Sequence, residues 1–112
     1  MKTLVVTGGR HYKNEAHVIR TLSKLGPARI AVGCCPSGVD FFVRTNFAPF
    51  YTVYFADWTG KGLPAGPIRN SEMLAANPNA IVVAFPGGKG TRDCVRQALE
   101  RGMLVIKVEE PT

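Results

Sequence analysis

The stretch AIVVAFPGGKGT, residues 80–91, decides how the chain is expected to fold. It joins a continuous apolar run, typical of a buried parallel strand, to a glycine-rich turn and the start of an amphipathic segment. The stretch LVVTGGRHY, residues 4–12, also passes from an apolar run into paired glycines. Two units of this kind indicate an α/β architecture with functional loops at the strand ends.

The rest of the chain continues the alternation of apolar runs and helical patterns. Five apolar runs predict strands, and four segments with apolar residues on one face predict helices. The strands are expected at residues 3–7, 29–33, 51–55, 80–85 and 103–108, and the helices at residues 14–25, 37 or 38 to 47, 67–76 and 91–101. Right-handed crossovers then predict one doubly wound Rossmann-like domain over residues 1–112. Its five-stranded parallel sheet would have the order 3-2-1-4-5, with helices on both faces.

Length, composition and charge narrow the class of protein. The 112 residues suit one domain, and 46% hydrophobic residues with 20% charged residues exclude global disorder. The net charge of +6 favours an anionic partner such as a nucleotide or a nucleic acid. No apolar run approaches the ~20 residues of a membrane span, and the first residues lack a signal-peptide pattern, so we expect a cytoplasmic protein. The three cysteines lack zinc-finger spacing, so we expect no metal and no cofactor.

The loop PGGKGT is the first candidate phosphate-binding element. The backbone N–H groups of Gly87, Gly88 and Gly90 can approach an anion without a Cβ in the way. The following helix points its positive end toward the same place. Thr91 is expected to cap that helix, and Lys89 is expected to add a point charge. The alternative is a tight turn whose glycines serve only the backbone geometry.

The TGGR loop after the first strand is expected beside PGGKGT. In a sheet of this order, ligands bind beyond the carboxyl ends of the strands where the chain reverses direction, here between strands 1 and 4. Gly8 and Gly9 form a second glycine turn, and Arg10 adds a guanidinium suited to bidentate phosphate contact. His11 and Tyr12 follow. They either stack on a base or ribose or are ordinary exposed loop residues.

The connection at residues 56–70 is the longest in the chain and carries further candidates. Long ordered loops often have a function. Arg69 and Asn70 are expected in the first turn of the third helix, where their donors face an incoming anion. Trp58 either contacts the ligand or anchors the loop, and the alternative for Arg69 is a solvent-facing side chain.

The loop GCCPSGVD leads from the second strand into the second helix. Ser37 is expected to cap that helix, with Asp40 three residues later in the capping-box position. Alternatively, Asp40 holds a ribose hydroxyl. Cys34 and Cys35 have no matching pair of ligands elsewhere in the sequence, so the loop is not expected to form a metal site.

These motifs, taken in order, resemble the YspA-like, YpsA-related branch of the SLOG superfamily. The resemblance covers residues 3–108. The motifs that carry it are TGGR at 7–10, GVD at 38–40, DW at 57–58, GPIRN at 66–70 with Met73 and Leu74 beyond it, and FPGGKGT at 85–91. The resemblance implies a Rossmann-like fold and a nucleotide or nucleotide-derived ligand. Relatives in the superfamily include cytokinin-activating phosphoribohydrolases and the DNA-processing protein DprA.

The chain departs from the phosphoribohydrolases at the glutamate of their PGGxGTxxE motif. That glutamate takes part in cleavage of the N-glycosidic bond, and Cys94 stands at its position here. A thiol does not replace a carboxylate in this chemistry. The neighbouring Asp93 lies about 100° around the helix and is the remaining catalytic candidate. The loop GCCPSGVD is a second departure, because relatives typically carry a loop like GGARGAD.

The sequence therefore predicts a protein that binds a nucleotide or nucleotide-derived small molecule, for sensing or sequestration rather than catalysis. The alternatives are an N-glycosidase acting on nucleoside 5′-phosphates and a nucleic-acid-binding module in the manner of DprA. A homodimer is also expected, because a chain of this size leaves part of its helical surface apolar. The apolar side chains expected at that interface are Phe41, Phe42, Phe47 or Met73.

Overall fold

Parallel strands with helical connections build the fold in the computed structural model, which describes residues 1–48 and 50–111. The strands are β1 Lys2–Thr7, β2 Ala28–Gly33, β3 Tyr51–Tyr54, β4 Ile81–Ala84 and β5 Leu104–Lys107. The helices are α1 Glu15–Lys24, α2 Gly38–Asn46, α3 Trp58–Lys61, α4 Ala65–Ala76 and α5 Lys89–Glu100. All neighbouring strands pair in parallel in the order β3-β2-β1-β4-β5. The predicted doubly wound α/β sheet is confirmed.

Alternate residues of the central strand β1 face opposite sides of the sheet and contribute to two separate cores. Leu4 and Val6 pack with buried residues of α1 and α2. Val5 packs with buried residues of α4 and α5. The helices therefore lie on both faces, as predicted, and the loops that follow the strands meet at one rim of the sheet.

Two helices begin earlier than the sequence pattern predicts. α4 begins at Ala65, two residues before its predicted start. Proline is tolerated within a first helical turn because the N–H groups there have no helical partner. Arg69 therefore lies in the second turn of α4 and not in the first. α5 begins at Lys89 with Gly88 at the N-cap position and no side-chain cap, so the predicted cap at Thr91 is wrong.

The connection between β3 and α4 contains α3, a helix of four residues that the sequence pattern does not predict. The carboxylate of Asp57 caps it by accepting a hydrogen bond of 2.9 Å from the backbone N–H of Gly60. The Trp58 ring lies against Gly66 in the first turn of α4 and is 54% exposed. Of the two roles considered for Trp58, this contact supports anchoring of the loop.

The side chains predicted to form a dimer interface differ in exposure. Met73 is 2% exposed and belongs to the core on the α4 and α5 side, so its predicted place on a surface is wrong. Phe42 and Phe47 are half-buried against the core on the α1 and α2 side. Phe41 is 42% exposed.

Within residues 1–48 and 50–111, no helix is long and apolar enough to cross a membrane. The same residues contain no group of three or more His, Cys, Asp or Glu side chains placed to hold a metal ion.

Candidate functional site

The glycine loops that follow β1 and β4 are in direct contact. The backbone N–H of Phe85 donates a hydrogen bond of 2.9 Å to the carbonyl oxygen of Thr7, and that of Gly9 donates one of 2.9 Å to the carbonyl oxygen of Pro86. A Cβ on Gly9 would lie 3.0 Å from the Cα of Gly87, which is closer than ordinary packing allows. The predicted adjacency of the loops is confirmed. Their own backbones fill the space between them and leave the outer rim as the part of the loops open to solvent.

The start of α2 packs on the loop after β1. Gly8 lies so close to Val39 that a Cβ on Gly8 would overlap the valine side chain. Gly38 has φ +71°, and a Cβ there would overlap the carbonyl oxygen of Gly9. The N–H of Val39 donates to that same oxygen at 3.3 Å. Gly8 and Gly38 are thus required by packing and backbone geometry, whatever the ligand.

Ser37 is the N-cap residue of α2, as predicted, but the predicted capping box does not form, because both of its side chains hydrogen bond outside the helix. The Ser37 hydroxyl donates to the carbonyl oxygen of Arg10 at 2.8 Å. The carboxylate of Asp40 accepts from the backbone N–H of Cys35 at 3.2 Å. Ser37 therefore holds the backbone of the TGGR loop, while the side chain of Arg10 is exposed at the rim.

The two ring side chains after TGGR lie in different environments. The Tyr12 ring packs on Phe85 with 5.9 Å between ring centroids. Its hydroxyl oxygen is buried, with the Glu110 carboxylate nearby. His11 is exposed beside Arg10. Of the two candidates for stacking on a base, His11 is the one that presents its ring to solvent.

The N-terminus of α5 is the part of the PGGKGT loop that stays open to solvent. Gly88 and Gly90 are exposed, and a Cβ on either would meet no atom within 4 Å. Gly87, by contrast, is pressed against the buried side chain of Thr91. Because no side chain caps α5, its first N–H groups remain available beside the exposed Lys89. A helix start of this kind attracts anions.

Asn70 connects α4 to the start of α5. It is 3% exposed, and its amide nitrogen donates to the carbonyl oxygen of Gly90 at 3.2 Å and to Asp93 Oδ2 at 3.0 Å. Its amide oxygen accepts from Nε of Arg69 at 3.0 Å. Both amide hydrogens are therefore engaged inside the protein. Asn70 positions the start of α5 and does not reach out to a ligand as the sequence led us to expect.

Gly33 at the end of β2 leaves room for two charged side chains. A Cβ there would overlap the Arg69 guanidinium and lie 2.7 Å from Asp40 Oδ2. Arg44 donates to the carbonyl oxygen of Gly33 at 3.2 Å. Burial raises the pKa of Asp40, although the N–H of Cys35 and both guanidiniums favour its charged form. Asp40, only 7% exposed, thus faces Arg69 and the protein interior.

Asp93 and Cys94, the two residues that bear on hydrolysis, are both held by the fold. Partial burial alone would raise the pKa of Asp93, but hydrogen bonds from Asn70, Arg96 and Gln97 outweigh it and keep the pKa below its ordinary value. Cys94 is fully buried, and burial raises the pKa of its thiol to about 11. At neutral pH the thiol is therefore uncharged, and the Asp93 carboxylate is ionised but occupied by three donors.

The chain is 45% identical over 120 aligned positions to the Gene 61 protein of Mycobacterium phage D29, and the match covers 95% of each chain. The chain belongs to the family of this phage protein. No family model and no solved structure matches it. The match spans nearly the full length of both chains, so the two proteins are similar over the whole domain and not in one motif alone.

In this Gene 61 family member, a groove that the sequence analysis missed runs between α5 and β5. It has a volume of about 550 Å³, and its lining includes Pro86 and Thr91, which flank the exposed residues 87–90 at the start of α5. Side chains further along its walls include Arg92, Val95, Leu99, Lys107 and Val108. The residues of α5 that line the groove recur every three or four positions, and this spacing is visible in the sequence. Periodicity does not show, however, whether a second helix covers such a face.

Proposed function

We propose that this chain binds a nucleotide or nucleotide-derived ligand through its phosphate at the N-terminus of α5. The observation that carries the proposal is a contrast among the glycines of PGGKGT. Gly87 is surrounded so closely that a side chain would not fit. Gly88 and Gly90 have open space around them and no positive φ, so neither crowding nor a left-handed backbone requires glycine at either position. Close approach of an anion to the backbone does require it.

The low helix propensity of glycine at position 90 supports a role for a ligand. It is the second residue of α5, and glycine in a helix is less favourable than alanine by up to about 1 kcal/mol. Alanine would fit the space there. A methyl group would nevertheless hold a phosphate away from the N–H groups of the first turn, which explains a glycine that is otherwise unfavourable.

The charges around the start of α5 also favour a phosphate. Lys89 and Arg92 extend from its first turn, and Arg10 lies in the neighbouring loop; all three are exposed. The ion pairs among the described residues involve none of them. A phosphate ester would combine attraction to these cations with attraction to the helix N-terminus.

The resemblance of TGGR and FPGGKGT to SLOG motifs favours a nucleotide-derived ligand over a simple phosphate. In this proposal the chain is a SLOG-like cytoplasmic protein that senses or sequesters its ligand. A binding role suits the site better than hydrolysis, because Cys94 is an uncharged buried thiol and Asp93 is occupied by its neighbours. Pairing of two copies through the surface around Phe41 stays a prediction.

Thermal unfolding in the presence of AMP, ADP-ribose and adenosine tests the proposal. We expect the phosphate-containing compounds to raise the Tm and adenosine to do so far less, because a ligand at 100 times its Kd adds about 2.7 kcal/mol of stability. Gly88→Val should fold like the wild type and lose most of the shift. Ala75→Val, on an exposed position of α4, is the matched control and should keep the shift. Equal shifts with AMP and adenosine, or a full shift in Gly88→Val, would contradict the proposal.

Two further assays separate the alternatives. Release of adenine from AMP should not exceed that of a protein-free control; release that Asp93→Asn abolishes would establish an N-glycosidase. Affinity for long DNA should be weak at physiological salt. A DprA-like binder would show instead a steep loss of DNA affinity with rising salt and little binding of AMP.

A further inference from the structure

The groove between α5 and β5 is lined by Pro86 and Thr91, the two residues that flank the proposed phosphate site at the start of α5. It begins at Pro86 and Thr91 and extends along α5 to Leu99, a length of ~12 Å at 1.5 Å per residue. Its volume of about 550 Å³ lies within the range of small-molecule sites, about 300–1,000 Å³. One end of the groove therefore adjoins the phosphate site, and the rest has room for the remainder of a ligand.

Apolar side chains form the body of the groove. Val95 and Val108 line it and are half-buried. Leu99 lines it as well and is 56% exposed, which leaves a large apolar surface in contact with water. A concave apolar surface flanked by a few polar groups is typical of sites for small organic ligands.

Charged side chains make one end of the groove cationic, and the other end carries no net positive charge. Arg92, in the first turn of α5, and Lys107, at the end of β5, line the groove near the carboxyl edge of the sheet. Neither forms an ion pair with any described residue. Arg96 and Glu100 line the groove one to two turns further along α5. Arg96 pairs with Asp93 at 2.8 Å and with Glu100 at 2.9 Å, so its positive charge is compensated. Uncompensated positive charge is therefore concentrated beside the phosphate site.

We propose that this groove binds the base, or an equivalent flat apolar group, of the ligand whose phosphate lies at the N-terminus of α5. The inference rests on the proposed function. A phosphate ester of a flat aromatic group matches the groove at both ends, with its anion at the cationic end and its ring against the apolar body. The Arg92 guanidinium is suited to stack on such a ring. The crevice between β1 and β4 offers the ring no space, because Gly9 and Pro86 are hydrogen bonded across it.

Calorimetric titration with ribose 5-phosphate and with AMP, GMP, CMP and UMP tests this inference. The best nucleotide should bind about ten-fold or more tightly than ribose 5-phosphate, because stacking of a base adds affinity that a sugar phosphate lacks. Leu99→Gln replaces an apolar side chain by a polar one of similar volume at an exposed helical position, so the variant should fold. The variant should bind the best nucleotide no more than about three-fold more tightly than ribose 5-phosphate, and its affinity for ribose 5-phosphate should be unchanged. Leu63→Gln, 89% exposed and outside the lining of the groove, is the control and should keep the preference.

The outcomes distinguish failure of the groove from failure of the phosphate site. If ribose 5-phosphate binds as tightly as every nucleotide, the groove inference is overturned and the phosphate site stands. If none of the five compounds binds, both are overturned. A nucleotide preference that survives Leu99→Gln also overturns the inference. Methyl NMR gives an independent readout, because AMP, unlike ribose 5-phosphate, should shift the methyl signals of Val95, Leu99 and Val108.

Discussion

The backbone N–H of Gly9 donates a hydrogen bond of 2.9 Å to the carbonyl oxygen of Pro86 and so ties together the loops after β1 and β4. The bond crosses the switch point of the sheet, where doubly wound folds usually admit a ligand. Here the two loops form one continuous backbone surface. The glycines that face inward between the loops serve packing, and those that face outward at α5 remain available to an anion.

Gly87→Ala should destabilise the protein, whereas Gly88→Ala should not. A Cβ on Gly87 would overlap Oγ1 of Thr91 and lie 2.7 Å from the backbone nitrogen of Gly9, so the loop or the helix start has to move. Overpacking of this kind costs about 1–3 kcal/mol. A Cβ on Gly88 meets no atom within 4 Å. Urea unfolding measures both variants, and equal midpoints would show that the loops are not packed in this way.

Gly90→Ala should raise the stability of the protein and weaken ligand binding in the same variant. Alanine is the better helix former by up to about 1 kcal/mol, and its methyl group has open space in the absence of a ligand. The methyl group would obstruct an anion at the N–H groups of the first turn. Urea unfolding and AMP titration of the variant measure the two effects. Unchanged AMP affinity would mean that the ligand does not approach Gly90.

Asn70→Ala should lower the free energy of unfolding by about 1–3 kcal/mol, because it removes a buried amide together with its three part-buried hydrogen bonds. The partners of the amide are Arg69, the carbonyl oxygen of Gly90 and Asp93. Asn79→Ala, exposed in the turn before β4, is the control and should change stability by less than about 0.5 kcal/mol. Equal stability of the two variants would show that Asn70 does not connect α4 to α5.

The stability of Asp40→Asn relative to the wild type, measured as a function of pH, should report the burial of the Asp40 carboxyl group. Because the pKa of Asp40 is raised in the folded protein, the folded state binds more protons than the unfolded state at pH values above the unfolded pKa of about 4. Wild-type stability is therefore reduced as the pH rises through the folded pKa. The amide that replaces the carboxyl group in the variant does not ionise, and its oxygen can still accept from the N–H of Cys35.

We therefore expect Asp40→Asn to gain stability relative to the wild type as the pH rises above about 4. Below about pH 3 the carboxyl group is protonated in both states, so the difference should no longer depend on pH. Urea unfolding at several pH values measures this. The other titrating groups are common to both proteins, so the difference isolates Asp40. A variant that loses stability relative to the wild type as the pH rises would mean that Arg69 and Arg44 outweigh the burial.

The fold was predictable because strand order follows from local signals combined with the handedness of crossovers. The apolar runs, the helical periodicity and the glycine turns agree along the whole chain. The short helix α3 was not predictable, because the four residues WTGK are too few to show a helical period. The start of α4 was misplaced, since proline is accepted at several positions of a first turn.

The candidate site was predictable only as a set of loops. Nothing in TGGR or PGGKGT shows that Gly9 and Gly87 pack against each other while Gly88 and Gly90 face solvent, because that distinction depends on contacts between strands far apart in sequence. The role of Asn70 was missed for the same reason. Its partners Gly90 and Asp93 lie in the next helix of the chain, and no local pattern connects them.

The most direct test of a phosphate site at α5 is amide NMR of the ¹⁵N-labelled protein during titration with AMP, with adenosine as the comparison. We predict that AMP shifts the backbone amide signals of Gly88, Lys89, Gly90 and Thr91 most strongly, and that adenosine leaves them nearly unchanged. Shifts that are absent from these four amides, or that adenosine produces equally, would contradict the central claim that an anion binds at the open N-terminus of α5.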